Sequence, residues 1–242
     1  MSNDTEYATV ALANDGALMG QGAVLIWNDV ADEGRDQFYE WHDKEHVPER
    51  LAIPGFRRGR RFVKPLHSPE WFTMYEADDL SVVTSPSYLA RLNAPTPETQ
   101  RTLPYFRNTS RAVCRVVHSV GASSGGHVLA MRLNVPSESR DALCSHLARE
   151  AFPRAMSFVG VIACHLFVAD DDASFIPTAE SSTRTFDVPS WVVLCETTTS
   201  AAGDRAKRLL EQCDLYRLGV VIRADAAIYA LEICRLSLPG KH

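Results

Sequence analysis

The feature that most constrains this chain is that part of it occurs twice. Residues 35–62, RDQFYEWHDKEHVPERLAIPGFRRGRRF, align without a gap on residues 140–167, RDALCSHLAREAFPRAMSFVGVIACHLF. Arg35 and Asp36 meet Arg140 and Asp141, Pro48 meets Pro153, Gly55 meets Gly160, and Phe62 meets Phe167, all at an offset of 105. Upstream, Val24-Leu25 faces Val128-Leu129 one residue out of step, and downstream the pattern W-x-x-x-x-E recurs as Trp71–Glu76 and Trp191–Glu196. A repeat of this length means two copies of one supersecondary unit, each needing a partner to bury its apolar face.

Each copy reads in the same order. The run AVLIW (23–27) is a short buried strand, as is HVLAMRL (127–133). A helix follows in the first copy, with Phe38, Trp41, His42 and Glu45 on one face of a 3.6-residue period and Asp32 as its N-cap. Pro48 and the Ile53-Pro54-Gly55 turn end that helix, because proline lacks an N–H and the residue before it avoids the helical region. Residues 56–63 and 71–77 alternate as two strands, 88–93 belongs to a second helix, and 111–120 is a fourth strand. In the second copy 200–213 is the second helix and 227–236 the last strand. The segment 170–190 is long and polar and reads as a mobile loop or an interaction surface.

The order βαββαβ is a ferredoxin-like split unit. The expected fold is therefore α+β, with tandem ferredoxin-like repeats forming an intramolecular α+β barrel. The expected organisation is an N-terminal tail over 1–21, a site-bearing unit over 22–121, a linker over 122–126 and a structural unit over 127–242. The run W-x-x-x-E-H-x-P-x-x-x-x-x-P-G-F-x-x-x-R-R-F, Trp41 to Phe62, resembles the dimeric α+β barrel superfamily and, within it, the EthD-like proteins. The resemblance is clearest over 24–77 and fades across the second copy. It implies a fused pair of units where family members commonly pair separate chains. It also implies a range of activities, from cofactor-free monooxygenases to isomerases, cyclases and haem enzymes, so it does not choose among them.

His42-x-x-Glu45-His46 has the spacing of an inverted zinc-protease motif. Against a metal stand Pro48 just past His46 and the absence of an evident third ligand in the sequence, so metal: none is the expectation, and no cofactor is expected. The alternative makes His46 a metal-free general acid/base, since an unperturbed imidazole titrates near ~6.5. His42 is the second catalytic candidate, and it or a backbone carbonyl is a better orienter of His46 than the neighbouring Glu45, which diverges on a helix. Alternatively, either histidine simply packs. In the second copy Leu147 and Ala151 stand at the matching positions, so the polar apparatus belongs to the first copy alone.

Arg57, Arg58, Arg60 and Arg61 form a basic strand, with Arg58 and Arg60 on one face and Arg57 and Arg61 on the other. The plain reading is a solvated or interface strand balanced by Glu45, Glu49 and other acids. The functional one takes Arg61, favoured by the resemblance, as an oxygen-binding residue. Tyr75 could line the same cavity as a hydroxyl donor, and Trp41 packs beside it as a substrate-contact candidate.

Composition narrows the partners. The net charge of −5 argues against nucleic acid, and no apolar window approaches membrane-spanning length. Six cysteines without a C-x-x-C pair read as reduced, mostly buried thiols. The acidic N-terminus lacks the character of a leader, which favours a cytoplasmic location. The function expected is a cofactor-independent enzyme acting on a small apolar cyclic or aromatic metabolite by histidine acid/base chemistry, of isomerase, lyase or cyclase type, or a monooxygenase. The alternatives are a non-catalytic small-molecule-binding or stress-associated protein, and a haem or oxygen-dependent oxidase. The expected partner is a small-molecule ligand, with further homodimerisation left open.

Overall fold

The computed structural model describes residues 17–180, 187–222 and 226–238. The expected tail up to residue 16, and residues 181–186 of the long polar segment, lie outside them. The chain packs as two units, and the first takes in the described residues of 18–116, 168–190 and 229–242. Its elements are β1 (Gly22–Val30), α1 (Arg35–Trp41), α2 (Val47–Leu51), β2 (Phe56–Val63), β3 (Trp71–Ala77), α3 (Leu80–Val83), α4 (Pro86–Asn93), α5 (Pro97–Thr102) and β4 (Phe106–Val120, which enters this unit through residue 116). In this unit β4 pairs with β1, β1 with β3, β3 with β2, and β2 with the last strand from residue 230 onward, all antiparallel. The order β4-β1-β3-β2 is the one that a βαββαβ chain gives when each helix crosses one face of the sheet.

Two local expectations fail here, each for a physical reason. Asp32 does not cap the first helix: it opens a short 3-10 turn, and no side chain caps α1. Nor does Pro48 end the helix. The chain leaves α1 in a π-helical turn over His42–His46 and re-enters α-helix as α2, with Pro48 in its first turn. Val47 donates its N–H to the His42 carbonyl, five residues back. A proline in a regular helix lacks one N–H and presses its ring on the carbonyl four residues earlier; one wide turn before it relieves both. The helix therefore runs past His46, which sits in its middle.

The basic strand is buried rather than solvated. Arg57 is exposed and pairs with Asp78, while Arg58, Arg60 and Arg61 are 7%, 2% and 2% exposed. A bulge between Phe56 and Arg58 leaves Arg58 and Arg60 on one face, where both reach Glu76 on β3, at 2.7 and 3.1 Å. The balancing acids are thus Glu76 and, for Arg61, Asp43 and Glu232. Two apolar clusters flank this charge. One joins Val47, Leu51, Phe56, Tyr75 and Tyr88; the other joins Val30, Phe38, Trp41 and Trp71. Gly59 on β2 is what lets the first of them close: a Cβ there would lie 3.1 Å from Val47 and 3.2 Å from the Tyr75 ring.

The second unit takes in the described residues of 117–167 and 191–228, with residue 17. It contains β5 (His127–Asn134), α6 (Arg140–His146), α7 (Phe152–Met156), most of β6 (Val161–Ala169), β7 (Trp191–Thr197), α9 (Ser200–Gln212), β8 (Val221–Ile222) and the first residues of β9 (Ala227–Leu236); α8 (Asp171–Ser174) belongs to the first unit. β5 pairs with β7 over seven residues and with β8. The local structure repeats at the offset of the sequence. A π turn spans Leu147–Ala151, ahead of Pro153, as one spans His42–His46 ahead of Pro48. Gly160 turns with φ +90° where Gly55 turns with φ +95°. Glu196 accepts from the Gly125 N–H as Glu76 accepts from the Met19 N–H. Cys114, Cys164, Cys195 and Cys213 are buried free thiols, Cys144 is half-buried and Cys234 is exposed. Among the described residues no helix is long and apolar enough to cross a membrane.

Glu76 pairs with two buried guanidiniums and accepts one backbone N–H, so its loss removes the carboxylate that they share. Glu76→Gln is expected to destabilise the protein by about 3 kcal/mol in denaturant unfolding. Arg57→Ala, which removes only an exposed pair, is expected to leave the midpoint unchanged.

Candidate functional site

The π turn brings the two histidines to one side of the helix. Their ring centroids lie 5.7 Å apart with planes at 30°, and His42 and His46 are 4% and 8% exposed. His46 stacks on Trp41 at 4.2 Å and meets the Tyr75 ring edge-on at 6.3 Å. Trp41 is itself fixed by donating its indole N–H to Thr99 Oγ1, at 2.9 Å. Glu45 is turned away: its carboxylate accepts a hydrogen bond from Thr96, so it does not orient His46.

Arg61 sets the state of His42. Its Nη1 lies 2.9 Å from His42 Nδ1, and the same guanidinium reaches Asp43 at 2.5 Å and Glu232 at 2.8 Å. A guanidinium can only donate, so His42 Nδ1 is the acceptor and the ring proton sits on Nε2. Burial, and then the Arg61 charge, hold the His42 pKa well below its ordinary value. His42 is therefore a neutral ring, and its Nε2–H points at the Tyr75 hydroxyl oxygen, 3.4 Å away. Burial pushes the Tyr75 phenol far above its ordinary pKa, so it stays a hydroxyl. Because Tyr75 accepts from His42, its own proton is available to another group.

That group would be in a cavity of about 50 Å³, walled by Val24, Phe56 and Leu92 among other apolar side chains and by His46, Arg50, Tyr75, Arg111 and Glu180. A second space of about 30 Å³ adjoins it, shares Ile26, His46, Tyr75 and Glu180 with it, and reaches His42 and Trp41. Apolar side chains and several converging polar groups share the cavity wall, a make-up that suits a small molecule. Of the five residues singled out from sequence, His46 and Tyr75 line both spaces and His42 and Trp41 line the smaller. Arg61 lines neither; it stands behind His42 and positions it.

Sequence reasoning missed Arg50, Tyr88, Arg111 and Glu180. Arg50 is four residues past His46, and the helical signal for it was present but cut off by the reading of Pro48 as a terminator. Arg50 is 3% exposed and pairs with Glu180 at 2.5 Å. Burial opposes its charge, but Glu180, Tyr88 and Tyr75 together outweigh this and raise its pKa. Glu180 comes from the segment read as a surface. That segment instead carries α8, hydrogen-bonds Ser174 to Val113 and Glu180 N–H to the Leu92 carbonyl, and supplies part of the cavity wall. Among the described residues no three His, Cys, Asp or Glu side chains gather as a metal site would require.

A neutral buried histidine makes stability depend on pH with a definite sign. Its folded pKa is depressed, so its contribution is complete above the unfolded value near ~6.5 and is lost as pH falls below it. The loss from this group is expected to approach about 1.4 kcal/mol per pH unit. His42→Gln keeps an acceptor for Arg61 and has nothing to titrate. Unfolding free energies measured from about pH 7.5 down to about pH 5.5 should fall less steeply in that variant than in wild type.

No family model matches the chain, and no curated protein sequence does. Solved structures do. An anthrone oxidase-like protein superposes with a TM-score of 0.64 at 9% identity, covering 92% of this chain and 95% of the other. A monooxygenase-like protein from Lactobacillus acidophilus NCFM gives 0.54 at 9% identity, covering 90% and 97%. A mutant chlorite dismutase from Candidatus Nitrospira defluvii in complex with cyanide gives 0.55 at 9% identity, covering 88% and 90%. At these identities the likeness is one of fold alone.

Proposed function

We propose that the protein is a cofactor-independent enzyme that moves a proton on a small apolar cyclic or aromatic substrate, with His46 as the acid/base. The observation that carries this reading is the division of labour between the histidines. His42 is held neutral by burial and by Arg61, while His46 lines a cavity beside the Tyr75 hydroxyl. Tyr75 would hold a substrate oxygen, and Trp41 would hold the His46 ring in place. The chain is then a fused, EthD-like pair in which the first copy carries the chemistry; the residues at the matching positions of the second copy, Leu147 and Ala151, are apolar. A metal bridge between the histidines is disfavoured by the Arg61 guanidinium on His42 Nδ1, which would repel a cation.

The haem reading fits these residues poorly. His42 has one nitrogen on Arg61 and the other toward Tyr75, which leaves it no lone pair to offer an iron. A purely binding role would use the same cavity without the proton step.

Anthrone is the first substrate to try, on account of the structural neighbour. Proton loss gives an anthrone carbanion, which reacts with dioxygen to yield anthraquinone and water. Purified protein without added cofactor is expected to accelerate anthraquinone formation, followed by absorbance. His46 is stacked and buried, so His46→Ala is expected to cost about 1–3 kcal/mol of stability, more than a helix-end histidine would. His46→Gln preserves volume and cannot titrate; it is expected to fold and to lose about 10²–10⁴ in turnover. Full turnover in a folded His46→Gln protein would contradict the acid/base role, and binding without turnover would favour the binder.

A further inference from the structure

We infer that Arg50 is the seat for a substrate carbonyl oxygen, and that the cavity takes neutral apolar ketones bearing an enolisable C–H. This deepens the proposed function and rests on it for the proton step. The Arg50 guanidinium is almost fully buried and lines the cavity together with His46 and Tyr75. Its two outer nitrogens are used unequally. Nη2 donates to Glu180 at 2.5 Å, whereas Nη1 is buried and has no hydrogen-bond acceptor; Glu49, at 3.9 Å, is beyond hydrogen-bonding distance. A buried N–H without an acceptor is costly, and a ligand oxygen would relieve that cost.

The spare donor selects the class of ligand. Glu180 already pairs with Arg50 and Arg111 is a second cation in the wall, so what Nη1 still needs is an acceptor oxygen rather than a counter-charge. A neutral carbonyl needs only the spare donor. When His46 takes the proton from the carbon beside the carbonyl, the C–H electron pair becomes the new C=C bond and the carbonyl π pair moves onto oxygen. The enolate oxygen then faces a guanidinium fixed in advance, which binds it more strongly than it bound the ketone. Returning a proton to the same carbon restores the ketone, so the cycle consumes nothing. The walls, Val24, Phe56, Leu92 and Tyr88, suit a hydrocarbon skeleton.

The probes are 1-tetralone, which has the carbonyl and an adjacent methylene, and tetralin, which has the same skeleton without the oxygen. Binding is read by calorimetry, and deuterium exchange at the methylene in D₂O by proton NMR. Arg50→Met alone strands Glu180, so the decisive variant is Arg50→Met/Glu180→Met, which removes the pair together and is expected to fold. Wild type should prefer 1-tetralone to tetralin by about tenfold, and the double variant should lose that preference while binding tetralin as before. Exchange should fall by about 10²–10³ in the double variant although His46 is intact. No preference in wild type, or a preference that survives in the double variant, overturns the seat. A preference that follows Arg50 with no exchange in wild type supports the seat and counts against the proton chemistry, so the two failures are distinguishable.

Discussion

The candidate site depends on one buried guanidinium. Arg61, on β2, holds His42 and Asp43 from the π turn and Glu232 from β9, three acceptors drawn from two widely separated parts of the chain. Donation to His42 Nδ1 fixes the tautomer, the tautomer directs Nε2–H to Tyr75, and Tyr75 is thereby left with a proton to offer to the cavity. None of these three groups could choose its state alone: a buried imidazole and a buried phenol are each ambiguous until a neighbour decides. The desolvation of Arg61 is tolerable because two carboxylates and two aromatic rings, Phe38 and Tyr39, surround it.

What the two copies share is scaffold, and what separates them is chemistry. Both have a proline one residue into the second helical segment, both place a π turn before it, and both close the following turn with a left-handed glycine. The wide turn is therefore a solution to the proline, present whether or not a site is. In the first copy that same turn carries His42 and His46 to one side; in the second it carries Leu147 and Ala151, both fully buried. The same backbone device thus presents imidazoles at one place in the sequence and apolar side chains at the other.

The strands and their order were legible because they rest on local pattern. Alternation and the constant offset placed β2, β3 and β9 at their observed limits, and His46, Tyr75, His42 and Trp41 do gather around adjoining spaces. The misreadings share a cause: each depended on a partner distant in sequence or on a non-standard turn. The arginines of β2 look solvated in sequence because Glu76, Asp43 and Glu232 are not adjacent to them. Arg50 was lost when Pro48 was read as a terminator, a rule that holds for regular helices and fails where a π turn precedes the proline. Glu180 lies in an aperiodic polar segment, and no periodicity marks a residue whose place is set by Arg50 and the Leu92 carbonyl.

The tautomer of His42 is the most direct test of this account. Nitrogen-15 NMR of the imidazoles distinguishes the three protonation states of each ring. The account predicts that His42 is neutral, carries its proton on Nε2, and stays so when the pH is taken below about 6.5. A His42 protonated on Nδ1, or one that becomes doubly protonated near about pH 6.5, would contradict it: Arg61 would then not be donating to the ring, and the separation of roles between the two histidines would not stand.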